Sequence, residues 1–130
     1  MPFDAFVYQP DHPDIEIMRA ARDIVDRGWA KGCYTTTHKG NDRYCAVAAI
    51  SAAAGAGTGR GFLPAATKRL IRELASDLPR TGSRAIWRLK GAKGRVIIFN
   101  DHHKTTQRQV LNAFDQTIAR MEHEVALTRV

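Results

Sequence analysis

A chain of 130 residues with 44% hydrophobic and 25% charged side chains suits one globular domain that buries roughly two thirds of its unfolded surface. Its longest apolar run, "CAVAAISAAAGAG", is too short and too alanine-rich for a bilayer, which needs about 20 apolar residues. The net charge of +7 is concentrated in residues 31–100, with 13 basic and 3 acidic side chains, which excludes an evenly neutral surface there.

Two further exclusions follow. The start "MPFDAFVYQP" has no basic region followed by an apolar one, so no signal peptide is expected. Two cysteines, Cys33 and Cys45, do not make a disulfide framework, so both thiols are expected reduced in the cytoplasm, away from membranes.

In chain order, "HPDIEIMRAARDIVDRGW" places Ile17, Met18, Ala21, Ile24 and Val25 at helical spacing. Asp11 or Asp14 is expected to cap this helix near Pro13, and Gly28 to end it in the left-handed region, with Trp29 packing into the core. Tyr34–Thr37 favours a strand and "HKGND" a turn. Asn41 or Asp42 then caps a short alanine-lined helix with Cys45 in its first turn and Val47 and Ile50 as larger contacts. "GAGTGRG" has neither a Gly-Lys-Ser/Thr ending nor a G-x-G-x-x-G register and reads as a connection rather than a phosphate loop.

A third helix is expected from near Phe62 to Leu78, burying Leu63, Ala66, Leu70, Ile71, Leu74 and Leu78 before Pro79 stops it. In the 80–100 stretch, Ala85–Leu89 and Arg95–Phe99 are β-prone and flank "KGAKG", which predicts a basic hairpin arm. Last, Thr106 and Gln109 match a capping box ahead of Val110, Leu111, Phe114, Ile118 and Met121, a helix reaching about Val125. The sum is an α+β fold: a single compact domain over 1–130 with about four helices and one or two short β-hairpins.

Cys45 is the candidate nucleophile, because a first-turn position favours the thiolate. "FNDHH" supplies His102 and Asn100 for a Cys45–His102–Asn100 hydrolase site. Against it, Asp42 would repel a thiolate, small apolar residues follow the cysteine, and no "CGSCW"-like signature surrounds it. Cys45 therefore reads as a packing residue, and Asn100 and Asp101 as partners for loose backbone groups at the end of a strand. His38, His102, His103, Asp101, Cys33 and Cys45 lack metal-ligand spacing, so neither a metal nor a cofactor is expected.

The basic arm is the stronger candidate. Arg80, Arg84, Arg88, Lys90, Lys93 and Arg95 surround Trp87 with no acidic residue among them, an arrangement that suits phosphates with the indole stacked on a base. The plainer reading keeps the cations in water and packs Trp87 inward.

The elements "AARDIVDRGWAKGCY", "RYCAVAAISAA", "IIFND" and "TTQRQVLNAFDQTI" resemble a family of small uncharacterised proteins of actinobacteria and their bacteriophages. Gly28, Trp29, Cys45, Asn100, Asp101 and Thr106 are the shared positions. Phe99 stands where the family pattern has Trp, and "RLKGAKGR" is longer and more basic than that pattern. The resemblance implies a phage-related accessory protein and no reaction. Together, residues and resemblance favour a non-enzymatic protein that binds a host protein or nucleic acid through its basic surface. The alternatives are nucleic-acid binding by the 84–95 hairpin and a cysteine hydrolase.

Overall fold

Pro13, with its pre-set φ and no N–H to lose, occupies the first position of helix α1 (Pro13–Arg27). The computed structural model describes residues 12–55 and 64–128. His12 caps α1 through Nδ1, which accepts the Asp14 N–H at 3.1 Å. Asp11 lies outside the described residues, and the Asp14 carboxylate receives two Arg69 N–H groups at 2.9 and 3.0 Å instead of capping the helix. The helix buries Ile15, Met18, Ala21 and Val25, one stripe at helical spacing.

Gly28 departs from expectation. It is extended, at φ −172° and ψ 113°, because the chain continues beside a strand instead of turning back. The Gly28 carbonyl accepts the Tyr44 N–H at 2.9 Å, and the Ala30 N–H donates to the Tyr44 carbonyl at 3.0 Å. Glycine is needed here for space, since a Cβ would lie 2.5 Å from the Asp42 carbonyl oxygen. Gly28→Ala is expected to push the strand away and cost about 1–2 kcal/mol, as overpacking does. A urea midpoint equal to wild type would show that the strand yields freely.

The expected extended pair forms as β1 (Thr35–His38) and β2 (Asn41–Tyr44), antiparallel, with Thr35 opposite Tyr44 and His38 opposite Asn41. Lys39 and Gly40 turn between them at φ 53° and 82°, the positive values a two-residue hairpin loop requires. Because Asn41 and Asp42 are consumed by β2, helix α2 (Ala46–Ala53) starts later than expected and Cys45 is its N-cap. Six residues of α2 are buried, all but Val47 and Ile50 small, so neighbouring backbone approaches on several sides.

Helix α3 (Ala65–Ser76) is shorter than expected, with Pro64 at its N-cap and Thr67, Leu70, Ile71 and Leu74 buried. Ala66 is half-buried, while Phe62, Leu63 and the 56–61 part of the glycine stretch lie outside the described residues.

The expected basic hairpin is instead two helices, α4 (Arg84–Leu89) and α5 (Ala92–Asp101). Ser83 caps α4, its hydroxyl accepting the Ile86 N–H, and Gly91 caps α5. β-Branched Val96, Ile97 and Ile98 suggested a strand, but Val96, Phe99 and Asn100 are buried at i, i+3 and i+4, and one buried face outweighs intrinsic preference.

Helix α6 (Gln107–Thr128) carries the expected capping box: the Thr106 N–H donates to Gln109 Oε1 at 2.9 Å, and the Gln109 N–H to Thr106 Oγ1 at 3.2 Å. It runs three residues past Val125.

Helix α1 packs on α2 and α6, α3 on α5, and α2 touches α1, α3 and α5 from the centre. Arg22 pairs with Asp115 and Arg19 with Glu122 across the rim of the α1–α6 contact. The described residues thus form one compact α+β domain of six helices and one hairpin. No helix among them is long and apolar enough to cross a membrane.

Candidate functional site

Most of the residues singled out in the sequence fall in two places. The first is buried. Asn100, 1% exposed near the end of α5, uses its whole amide. Its Oδ1 accepts the Trp29 indole N–H at 2.8 Å and the Ala46 N–H at 3.1 Å. Its Nδ2 donates to the Ala30 carbonyl at 2.9 Å and to Asp101 Oδ1 at 2.8 Å. Asp101 Oδ1 also receives the Gly32 N–H at 2.9 Å. One side chain therefore joins the turn after α1, the start of α2 and the end of α5. Trp29 is half-buried against the core, with its N–H committed to this junction.

Cys45 sits beside it, 3% exposed, with Sγ accepting the Ala48 N–H at 3.4 Å. Burial pushes its thiol pKa up, with the Asp101 charge adding to the shift, against backbone hydrogen bonds that lower it. The gain a helix start offers a thiolate is outweighed by desolvation. His102 ends α5, and its Nδ1 accepts the Lys104 N–H at 3.2 Å. Asn100 is hydrogen-bonded to Trp29, Ala46, Ala30 and Asp101, and among the described residues no hydrogen bond joins Cys45, His102 and Asn100. Cys45 and the exposed Cys33 both line a cleft of about 240 Å³, with Tyr34, Val47, Asn100 and Asp101 among its other walls. Native protein at pH 7 is expected to take up one equivalent of iodoacetamide, at Cys33, and the second, at Cys45, only on unfolding. Peptide mass spectrometry would detect native alkylation of Cys45 at the rate of Cys33, an outcome that rejects a closed thiol. Among the described residues no three His, Cys, Asp or Glu side chains are grouped to hold a metal ion.

The second place is the surface of α3, α4 and α5. Arg80, Arg84, Arg88 and Lys90 are exposed, whereas Trp87 is 9% exposed and turned inward. Arg95 is spent on that tryptophan: its Nε donates to the Trp87 carbonyl at 2.9 Å, and its guanidinium lies 5.4 Å from the ring centroid. The predicted stacking surface is thus covered by its own neighbour. Lys93 projects from the first turn of α5, its Nζ 5.5 Å from the Tyr34 ring. In exchange, α4 exposes two residues that the reading of the basic arm passed over, Ile86 at 52% and Leu89 at 85%. Three apart on a helix, they share a face. Lys68 and Arg72 of α3 join Lys93 around a cleft, a grouping invisible while 84–95 is read as a ribbon.

The described residues define a small helical α+β domain in which Asn100 and Cys45 are buried while Arg80, Arg84, Arg88 and Lys90 are exposed. The chain belongs to the family of unknown function DUF6197, whose model matches residues 9–120. No curated protein and no solved structure matches it.

Proposed function

We propose that this protein is a non-enzymatic binding protein that docks an acidic partner protein on the face formed by α4 and the start of α5. The observation that carries the reading is the pair Ile86 and Leu89, exposed on a helix whose other side chains include Arg84 and Arg88. Bare apolar residues inside a cationic field suit a protein surface that offers apolar contacts ringed by carboxylates. Nucleic acid would use the cations and leave the leucine and isoleucine in water, and the buried Trp87 offers it no stacking face. The resemblance to actinobacterial and phage proteins supports an accessory role in which the partner is a host protein in the host cytoplasm.

The test is capture from an actinobacterial lysate, with and without nuclease, by wild type and by a variant with Arg84, Arg88, Lys90 and Lys93 all changed to Gln. Nuclease-resistant capture by wild type, lost in the variant, is expected. Capture that disappears with nuclease would replace the protein partner by a polynucleotide, and capture unchanged in the variant would remove this face from the reading.

A further inference from the structure

The hairpin has one covered side and one open side. Beside β2, the Tyr44 N–H donates to the Gly28 carbonyl and the Tyr44 carbonyl accepts the Ala30 N–H, so the chain leaving α1 covers that edge. Tyr44 stands opposite Thr35, yet both of its main-chain groups are spent on the far side. One residue before Thr35, the Tyr34 carbonyl accepts the Cys45 N–H at 2.8 Å. Bonded and non-bonded pairs alternate along an antiparallel ladder. Thr36 and His38 therefore turn their main chain to β2, and Thr35 and Thr37 direct theirs outward. Among the described residues nothing pairs with those outward N–H and C=O groups.

All four residues of β1 are exposed, and none is Lys, Arg, Asp or Glu. Edges that stay unpaired are commonly guarded by charge, by proline or by a bulge, and β1 carries none of these. It is also its own complement. Turned about a two-fold axis through Thr36, a second β1 sets the partner's Thr37 opposite Thr35 and the partner's Thr35 opposite Thr37. Each outward N–H then meets an outward carbonyl. Thr36 faces the partner's Thr36, and His38 faces the partner's Tyr34, cross-strand pairs of the kinds that stabilise sheets. Each copy carries a net charge of +7, but across this edge no like charges stand directly opposite.

We infer that β1 is a self-association edge, on which two copies of the chain pair antiparallel about Thr36 into one four-stranded sheet of order β2-β1-β1-β2. A contact this short belongs with small, transient interfaces, so the dimer forms at high concentration and dissociates on dilution. It uses no residue of the α4–α5 face, so either reading can fail while the other stands.

Sedimentation equilibrium of the full chain tests it, from about 10 μM to about 1 mM in about 0.15 M salt, which screens the net charge. The apparent mass is expected to rise from one chain toward two. Thr37→Pro removes an outward N–H and places a ring on the edge, and it spares the bonds to β2 because that N–H makes none of them. Thr36→Lys leaves the main chain intact and sets like charges opposite each other across the axis. Each variant is expected to weaken association at least tenfold, with circular dichroism confirming its fold. Should the proline variant not fold, wild type and the lysine variant decide. A mass of one chain up to the highest concentration would overturn the edge. Growth beyond two chains would do so as well, since a two-fold contact closes on itself, and so would association unchanged in either folded variant.

Discussion

Asn100→Ala is expected to destabilise the protein by about 3–4 kcal/mol, because each buried polar group left without a partner costs about 1–3 kcal/mol. The substitution strands the Trp29 indole N–H, the Ala46 N–H and the Ala30 carbonyl at once, around a side chain that is 1% exposed. The loss is spread over three elements, so local fraying cannot relieve it. Trp29→Phe removes a single one of these bonds and is expected to cost about 1 kcal/mol from hydrogen bonding, before any change in packing. The two substitutions share that bond, so the double variant is expected to cost less than their sum by at least about 0.5 kcal/mol. Urea denaturation of the four proteins measures the cycle. Strict additivity would mean that the indole and the amide do not hold each other.

The second large effect is expected at Arg120 on α6. Its Nε donates to Asp77 Oδ1 and Oδ2 at 3.2 and 3.1 Å, and its Nη2 to Oδ2 at 2.9 Å. Nη2 also reaches the Glu73 carbonyl and the Ser76 hydroxyl, both at 3.1 Å, while Nη1 pairs with Glu124. The fully buried Thr117 hydroxyl donates to the same Asp77 at 2.7 Å. This is a guanidinium that ties the last turn of α3 to α6, and its hydrogen bond with Asp77 raises its pKa further above the ordinary arginine value. Breaking a fully buried pair costs about 3–5 kcal/mol, and Arg120→Met is expected to cost about 2–3 kcal/mol because solvent still reaches the site. Arg120→Lys keeps the charge but has no planar fork to spread over Asp77, Glu73 and Ser76, so it is expected to recover less than half of the loss. Stability of the Met variant within 0.5 kcal/mol of wild type would reduce the network to surface decoration.

Local signals were legible wherever the deciding contact is close in sequence. The box of Thr106 and Gln109 spans one turn, and the Lys39–Gly40 loop is set by its own φ values. The apolar stripes of α1 and α6 follow from spacing alone. Of the two candidate sites, the buried cluster was half legible: Cys45 read as packing, but Asn100 read as a local backbone partner instead of the hub of the fold. Its partners are 70, 71 and 54 residues away, and no pattern in a single chain reports such distances.

By itself, then, the chain determined its class, its hairpin, the start of its last helix and the excess of positive charge in its middle, because periodicity, turn chemistry and net charge act locally or sum without regard to position. Tertiary structure alone decided that 84–89 and 92–101 are helices, that Gly28 is there to let the Asp42 carbonyl pass, and that Trp87 is buried under Arg95 while Ile86 and Leu89 face out. In each case the deciding quantity is what lies opposite a side chain once the helices have packed. For Val96, Phe99 and Asn100 that burial overrides the β preference of the segment that carries them.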